Sequence, residues 1–172
     1  MTSTDLILRL EHSGRALAAA LEGVTPAESK WKPTPGGTDW SIVEIVNHLA
    51  DEEVEDFRTR LRLTLESPLA DWPKIDPVGA AIARKYQDRD LAESIARFAT
   101  ARKESLAWLR SLRNLSLNQV HTHPKLGSMR AGDLLASWTA HDLLHVRQIT
   151  KRRYQYLRAQ VEPFKLDYAG EW

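Results

Sequence analysis

Cysteine is missing altogether from the 172 residues. Disulfides, thiolate metal ligands and cysteine nucleophiles are therefore excluded, and any thiol in the chemistry must come from another molecule. Net charge is nearly missing as well: 24 Lys and Arg stand against 23 Asp and Glu, a formal +1. That balance argues against a general nucleic-acid or acidic-surface binder. No apolar run approaches the roughly 18 residues that a membrane span needs. The opening segment MTSTDLILRLEHSGR carries acidic groups and Arg9 where a signal peptide needs a basic start and then an apolar run. The expected compartment is the cytoplasm. Internal repeats and low-complexity runs are absent too.

What is present suits one soluble domain over residues 1–172. With 42% hydrophobic and 27% charged residues the chain can bury a core without a metal or disulfide staple. Leu6, Ile7, Leu10, Leu17, Ala18 and Leu21 recur at three- and four-residue spacing, which predicts a first helix over about 4–22. The run 32–39, KPTPGGTD, breaks helix repeatedly. Ser41 with Glu44 three residues later is a capping box, and Ile42, Ile45, Val46, Leu49, Val54, Phe57 and Leu61 carry a second helix to about Glu66. Pro68, Pro73, Pro77 and Gly79 mark 67–87 as a long connection with a short helical turn around 78–86. Leu91, Ile95, Phe98, Leu106, Leu109 and Leu112 predict a third helix over about 90–112. A second long connection over about 114–128 holds His121, His123, Pro124 and Gly127. A fourth helix, capped by Ser128 and running over about 129–157, has the stripe Leu134, Leu135, Trp138, His141, Leu144, His145 and Ile149. No convincing strand alternation occurs. The expected fold is an all-α four-helix bundle with long connections between helices two and three and between three and four. The aromatic tail ending in FKLDYAGEW is expected to pack back on the bundle or on a partner chain.

Three histidines stand out. His141 and His145 lie four apart on one helix face, inside an apolar stripe, so both rings can point at one spot. His48 sits on the rim of the apolar face of helix two. Imidazoles converging from facing helices can make a metal site with an open position, whereas isolated core histidines merely find hydrogen-bond partners; the pattern alone leaves both readings open. Glu44, Asp51 and Glu52 flank His48 at i−4, i+3 and i+4, as ligands, orienting acceptors or solvated flank. Arg102 interrupts the stripe of helix three and has to pair with a helix-two carboxylate or an anionic substrate, or else snorkel outward. His121 and His123 are loop candidates for substrate or metal contact, and His12 a weaker one. The basic run Arg147, Lys151, Arg152, Arg153 and Arg158 reads as a complement to the helix dipole.

These residues together resemble a known family. WSIVEIVNHLAD, from Trp40 to Asp51, is similar to the second-helix signature of the DinB-like (DinB/YfiT) superfamily. HPKLG from His123, Leu134-Leu135, and HDLLHVRQ from His141 to Gln148 look like its last-helix signature, and Phe98, Arg102 and Leu109 fall at corresponding places in helix three. The similarity spans about residues 5–157. It implies a metal-binding four-helix bundle, often a homodimer, with His48, His141 and His145 as ligands of a divalent transition metal and water completing the set. An all-imidazole site suits Zn²⁺ or Ni²⁺, with Fe²⁺ and Cu²⁺ also compatible. Glu52 or Asp51 would take a proton, and Glu44, Arg102, His123 and Gln148 would orient ligands or bind a small-molecule substrate. The family includes transferases that use a low-molecular-weight thiol. The expected function is therefore S-transfer from such a thiol to a small electrophile, with metal-dependent hydrolysis or a non-catalytic metal-binding bundle as alternatives. An interaction module joined through the aromatic tail is the third reading.

Overall fold

The computed structural model describes residues 1–113, 115–170 and 172; Asn114 of the second connection and Glu171 of the tail lie outside the described residues. Helix α1 (Ser3–Leu21) starts on a capping box between Thr2 and Asp5, and α2 (Pro26–Lys30) is a short turn that the breaker-rich sequence did not announce. The predicted second helix is one continuous rod in three parts: α3 (Ile42–Asp51), a π-helical stretch (Glu52–Arg58) and α4 (Thr59–Glu66). Its Ser41–Glu44 capping box forms as expected. Helix α5 (Pro77–Ala83) lies in the first connection, and α6 (Leu91–Ser111) is capped by Asp90. Strands β1 (Val120–His123) and β2 (Gly127–Arg130) then pair as an antiparallel hairpin before α7 (Ala131–Gln160).

The hairpin corrects the expectation of a strand-free connection and also moves the start of the last helix. Ser128 does not cap α7; it pairs with Thr122 in the hairpin, and Asp133 instead accepts the Arg130 N–H at 2.9 Å. Gly127 turns the chain with φ of +76°, where a β-carbon is disfavoured.

Cross-helix contacts give the topology. Ser13 meets Asp142 and Arg153 meets the Ala20 carbonyl, so α1 and α7 run parallel. Asn47 meets Ser94 and Arg58 meets Glu104, so the rod and α6 are parallel as well. The two pairs oppose each other: Phe57 stacks on Trp138 while His48 faces His145, and Arg110 reaches Glu11. The bundle is therefore up, down, down, up. A rod followed by a parallel helix forces the chain to travel back along its length, which is why the first connection is long.

The core divides in two. One apolar cluster gathers Leu10, Phe57, Leu61, Leu106, Leu109, Leu134, Leu135 and Trp138; the other gathers Leu17, Ile42, Ile45, Val46, Leu49, Phe98 and Ile149. On every long helix a polar residue separates them: Ser13, Glu53, Arg102 and Asp142, all buried. Asp142 takes the inward place that the apolar stripe assigns to Leu144, which is 55% exposed. Val54 and Ala18 also face outward, Val54 because the π-helical stretch changes the helical phase.

The basic run serves the fold: Arg153 donates to the last carbonyls of α1 at Ala20 and Glu22, and Arg152 pairs with Asp39. The tail does not pack into the core. Trp172 leans on Tyr154, while Phe164 and Tyr168 stay exposed. Among the described residues no helix is long and apolar enough to cross a membrane.

Candidate metal centre

Three imidazoles meet where the rod crosses α7. His48 Nε2 lies 3.3 Å from His141 Nε2, and His141 Nε2 lies 3.1 Å from His145 Nε2. The ligand atoms of all three fall within 4.8 Å of one another. The i,i+4 spacing stacks His141 and His145 on one face of α7, and His48 approaches from α3, edge-on to Trp40.

Proton bookkeeping shows what those nitrogens can do. His145 Nδ1 sits 2.7 Å from Gln148 Oε1, an acceptor, so Nδ1 carries the proton and Nε2 keeps a bare lone pair. His48 Nδ1 lies 3.6 Å from Glu52 Oε1, which favours the same tautomer. Both of those lone pairs face His141 Nε2, which has at most one proton to give, so hydrogen bonding alone leaves at least one of them unsatisfied. Burial, aided by the neighbouring imidazoles, pushes His48 down to about 3. Burial, then His145 and Arg102, push His141 to about 3. His145 is lowered by burial as well. All three are neutral at pH 7, the state a metal ligand needs.

The spacing fits an ion. Imidazole nitrogens at about 2.05 Å from a tetrahedral metal stand roughly 3.3 Å apart. The two Nε2 separations match that edge, and the donor set suits zinc, nickel or iron(II) rather than magnesium or calcium.

The acidic residues around His48 separate sharply in role. Glu52 is buried beside His48, and burial, with the hydrogen bond that its protonated carboxyl gives to Asp56, raises it to about 8. Asp51 is taken up by Arg84, Arg97 and the Tyr86 hydroxyl. Glu44 spends its carboxylate on the Ser41 N–H at 2.8 Å and on Lys32 Nζ at 2.8 Å, so it holds the helix start. Gln148 touches His145 through its side-chain oxygen.

The loop histidines lie elsewhere. His123 Nδ1 accepts from the Lys125 and Leu126 N–H groups in the hairpin turn, and His121 stacks on Trp72 with centroids 4.3 Å apart. Both are joined to the hairpin and not to the three-histidine cluster.

The first connection closes the site. It carries α5, Arg84 and Tyr86 back across the rod, and Lys85 in the left-handed region (φ 50°) turns the chain between them. A cavity of about 280 Å³ is left between this connection and the rod, walled by His48, Asp51 and Glu52 on one side and Ile75, Pro77, Ala80 and Arg84 on the other. That volume suits a small molecule.

Arg102 does clamp a helix-two carboxylate, but it is Glu53, and Asp142 of α7 is held at the same time. Neither acid stood out in the sequence. The signal available was the need of a core guanidinium for partners on facing helices.

Comparison with known proteins supports the fold and gives the family. A family model described as the DinB superfamily matches residues 9–149. Among solved structures, the chain resembles YfiT from Bacillus subtilis, described as a probable metal-dependent hydrolase with an unusual four-helix bundle topology. That match has a TM-score of 0.76 at 21% identity, covering 90% of this chain and 87% of the other. No curated protein matches the chain.

Proposed function

This chain belongs to the DinB superfamily, and from that premise we propose that it is a metal-dependent enzyme acting on a small molecule. His48, His141 and His145 would be the ligands and Glu52 the group that moves the proton. The observation that carries this reading is the convergence of three neutral imidazoles at the spacing of a single ion. A divalent transition metal held there lowers the pKa of a nucleophile at its open face without any charge being cancelled by its ligands.

The chain's own groups do the rest. Gln148 fixes the His145 tautomer, and Glu52 directs His48. Glu52, raised to about 8 by burial, has a proton affinity close to neutral, where an acceptor can also return the proton. The cavity beside His48 would seat the substrate, and Arg84 with Tyr86 holds its wall.

Hydrolysis, with water as nucleophile, is the first reading; the description of YfiT and the position of Glu52 support it. S-transfer from a low-molecular-weight thiol is the second. It is favoured by the lack of any thiol in the chain, so that a thiol nucleophile would come from another molecule. The exposed Phe164 and Tyr168 are a surface that a second copy would cover in the homodimer we propose, and a solution mass by light scattering checks it.

The test is direct. Purified protein should carry close to one zinc, nickel or iron per chain by elemental analysis, and His145→Ala should lose it while staying folded. Panels of esters and amides, and of thiol–electrophile pairs, are then run with and without chelator. Chelator-sensitive turnover of one panel names the nucleophile. Unchanged metal content in His145→Ala sinks the ligand assignment, and a metal-loaded protein inert to both panels favours a non-catalytic bundle.

A further inference from the structure

The buried polar layer behind the histidines carries an unbalanced charge. Glu53 faces donors only: Arg102 Nε at 2.7 Å, Arg102 Nη2 at 2.8 Å and Trp138 Nε1 at 3.0 Å. Asp142 faces Arg102 Nη1 at 2.7 Å, Arg102 Nη2 at 3.0 Å and the Ser13 hydroxyl at 2.5 Å. The single Ser13 proton also has the Leu10 carbonyl at 3.0 Å, and the shorter, charge-assisted contact takes it. A protonated carboxyl needs an acceptor for its O–H: Glu53 has none in these contacts, and the one beside Asp142, the Ser13 hydroxyl, is outweighed by the Arg102 guanidinium donating to both Asp142 oxygens, so both acids are read as carboxylates. Arg102 spends its fifth N–H on the Leu10 carbonyl at 3.0 Å. One cation thus serves two anions.

Among the described residues no other cation pairs with Glu53 or Asp142, and both side chains are essentially solvent-free. A surplus buried charge is costly unless something nearby offsets it. Two features place the histidine cluster as that neighbour. Asp142 follows His141 directly, a rise of about 1.5 Å along the helix. The Phe57 ring packs on Trp138 at 5.5 Å and on His141 at 5.1 Å, linking the two layers through apolar material of low screening.

We propose that Glu53, Arg102 and Asp142 form the buried counter-charge of the metal centre, their surplus negative charge strengthening its hold on a divalent cation. This rests on the metal reading given above.

The test compares Zn²⁺ dissociation constants, from competition with a chromogenic chelator, with melting temperatures of metal-free and Zn²⁺-loaded protein. Glu53→Gln and Asp142→Asn should each weaken Zn²⁺ binding about 10- to 100-fold. The rise in melting temperature on adding Zn²⁺ should shrink accordingly. Arg102→Met combined with Glu53→Gln keeps a surplus of one negative charge while dismantling the geometry, and it should bind Zn²⁺ better than Glu53→Gln alone. If the cluster only sets helix register, the double variant becomes the worst binder and the proposal falls. Should the double variant not fold, the single variants decide: wild-type Zn²⁺ affinity, with both forms melting lower by the same amount, overturns it. Wild-type protein that binds no Zn²⁺ removes the metal reading, and this one with it; wild-type binding with unaffected variants removes only this one.

Discussion

Two polar clusters sit at one level of the bundle and are built on opposite terms. In the Glu53–Arg102–Asp142 cluster each guanidinium N–H has an acceptor, and a hydroxyl and an indole complete the carboxylates. In the histidine cluster two rings are oriented by side-chain acceptors while their remaining nitrogens both face His141 Nε2, which has at most one proton for the two. A polar group left incomplete inside a protein costs stability, so its persistence points to function. The satisfied cluster ties four helices into one register; the unsatisfied one is what that register presents.

The contrast is broken most severely from the satisfied side. Arg102→Met leaves two carboxylates buried without their partner, and about 3–5 kcal/mol of destabilisation is expected. Thermal denaturation should show a collapse of the melting transition. His141→Ala in metal-free protein should change stability by about 1 kcal/mol, since at most one imidazole–imidazole hydrogen bond is lost, while abolishing stoichiometric metal binding. If both variants are equally destabilised, the histidines are structural and the contrast fails.

Acid provides a graded version. The folded-state values of His48 and His141 lie at about 3, below the ordinary 6.5. Between those values the unfolded chain binds protons that the folded chain refuses, so metal-free stability is fully present above pH 6.5 and falls as pH drops toward 3. Glu52, raised from 4.5 to about 8, works the other way over the same range, so the fall in melting temperature from pH 7 to pH 5 should be steeper in a Glu52→Gln variant than in the wild type. It should be lost in a His48→Ala/His141→Ala variant. Protons compete with metal at the same nitrogens, so Zn²⁺ affinity should weaken over the same range. A smaller effect comes from Gln148→Leu. It frees the His145 ring to change tautomer, and about a 10-fold loss of Zn²⁺ affinity is expected with little change in melting temperature.

Which of these parts the sequence discloses follows from how local their causes are. His141 and His145 are legible because a four-residue spacing fixes their shared face, and His48 because it rides the rim of a strongly patterned helix. Arg102 is legible as a cation inside an apolar stripe. Glu53 is not, since Asp51, Glu52 and Glu53 are consecutive acids, and all three are buried where α3 passes into the π-helical stretch. Asp142 is hidden for a related reason: between His141 and two leucines it reads as the polar flank, and only Arg102, forty positions away, draws it inside. The hairpin escapes notice because its four-residue strands hold His, Thr, Ser and Arg, with no apolar alternation to mark them.

The finest probe of the contrast is Gly14→Ala, in the middle of α1, where two opposing terms nearly balance. Alanine is favoured over glycine in a helix interior by about 1 kcal/mol. A β-carbon at this position would lie 3.0 Å from Arg102 Nη1, closer than ordinary contact. A free arginine would swing aside at little cost. This one is held on Glu53, Asp142 and the Leu10 carbonyl, so moving Nη1 lengthens bonds to Asp142 and to Leu10 together. Overpacking against an immobile partner costs about 1–3 kcal/mol, so the net expectation is a destabilisation of about 1 kcal/mol, read as a lower melting temperature in metal-free protein. A stabilised Gly14→Ala variant would mean that Arg102 yields easily. The cluster would then be as pliant as the histidines beside it, and the rigid frame assumed for the metal centre would have to be sought elsewhere in the bundle.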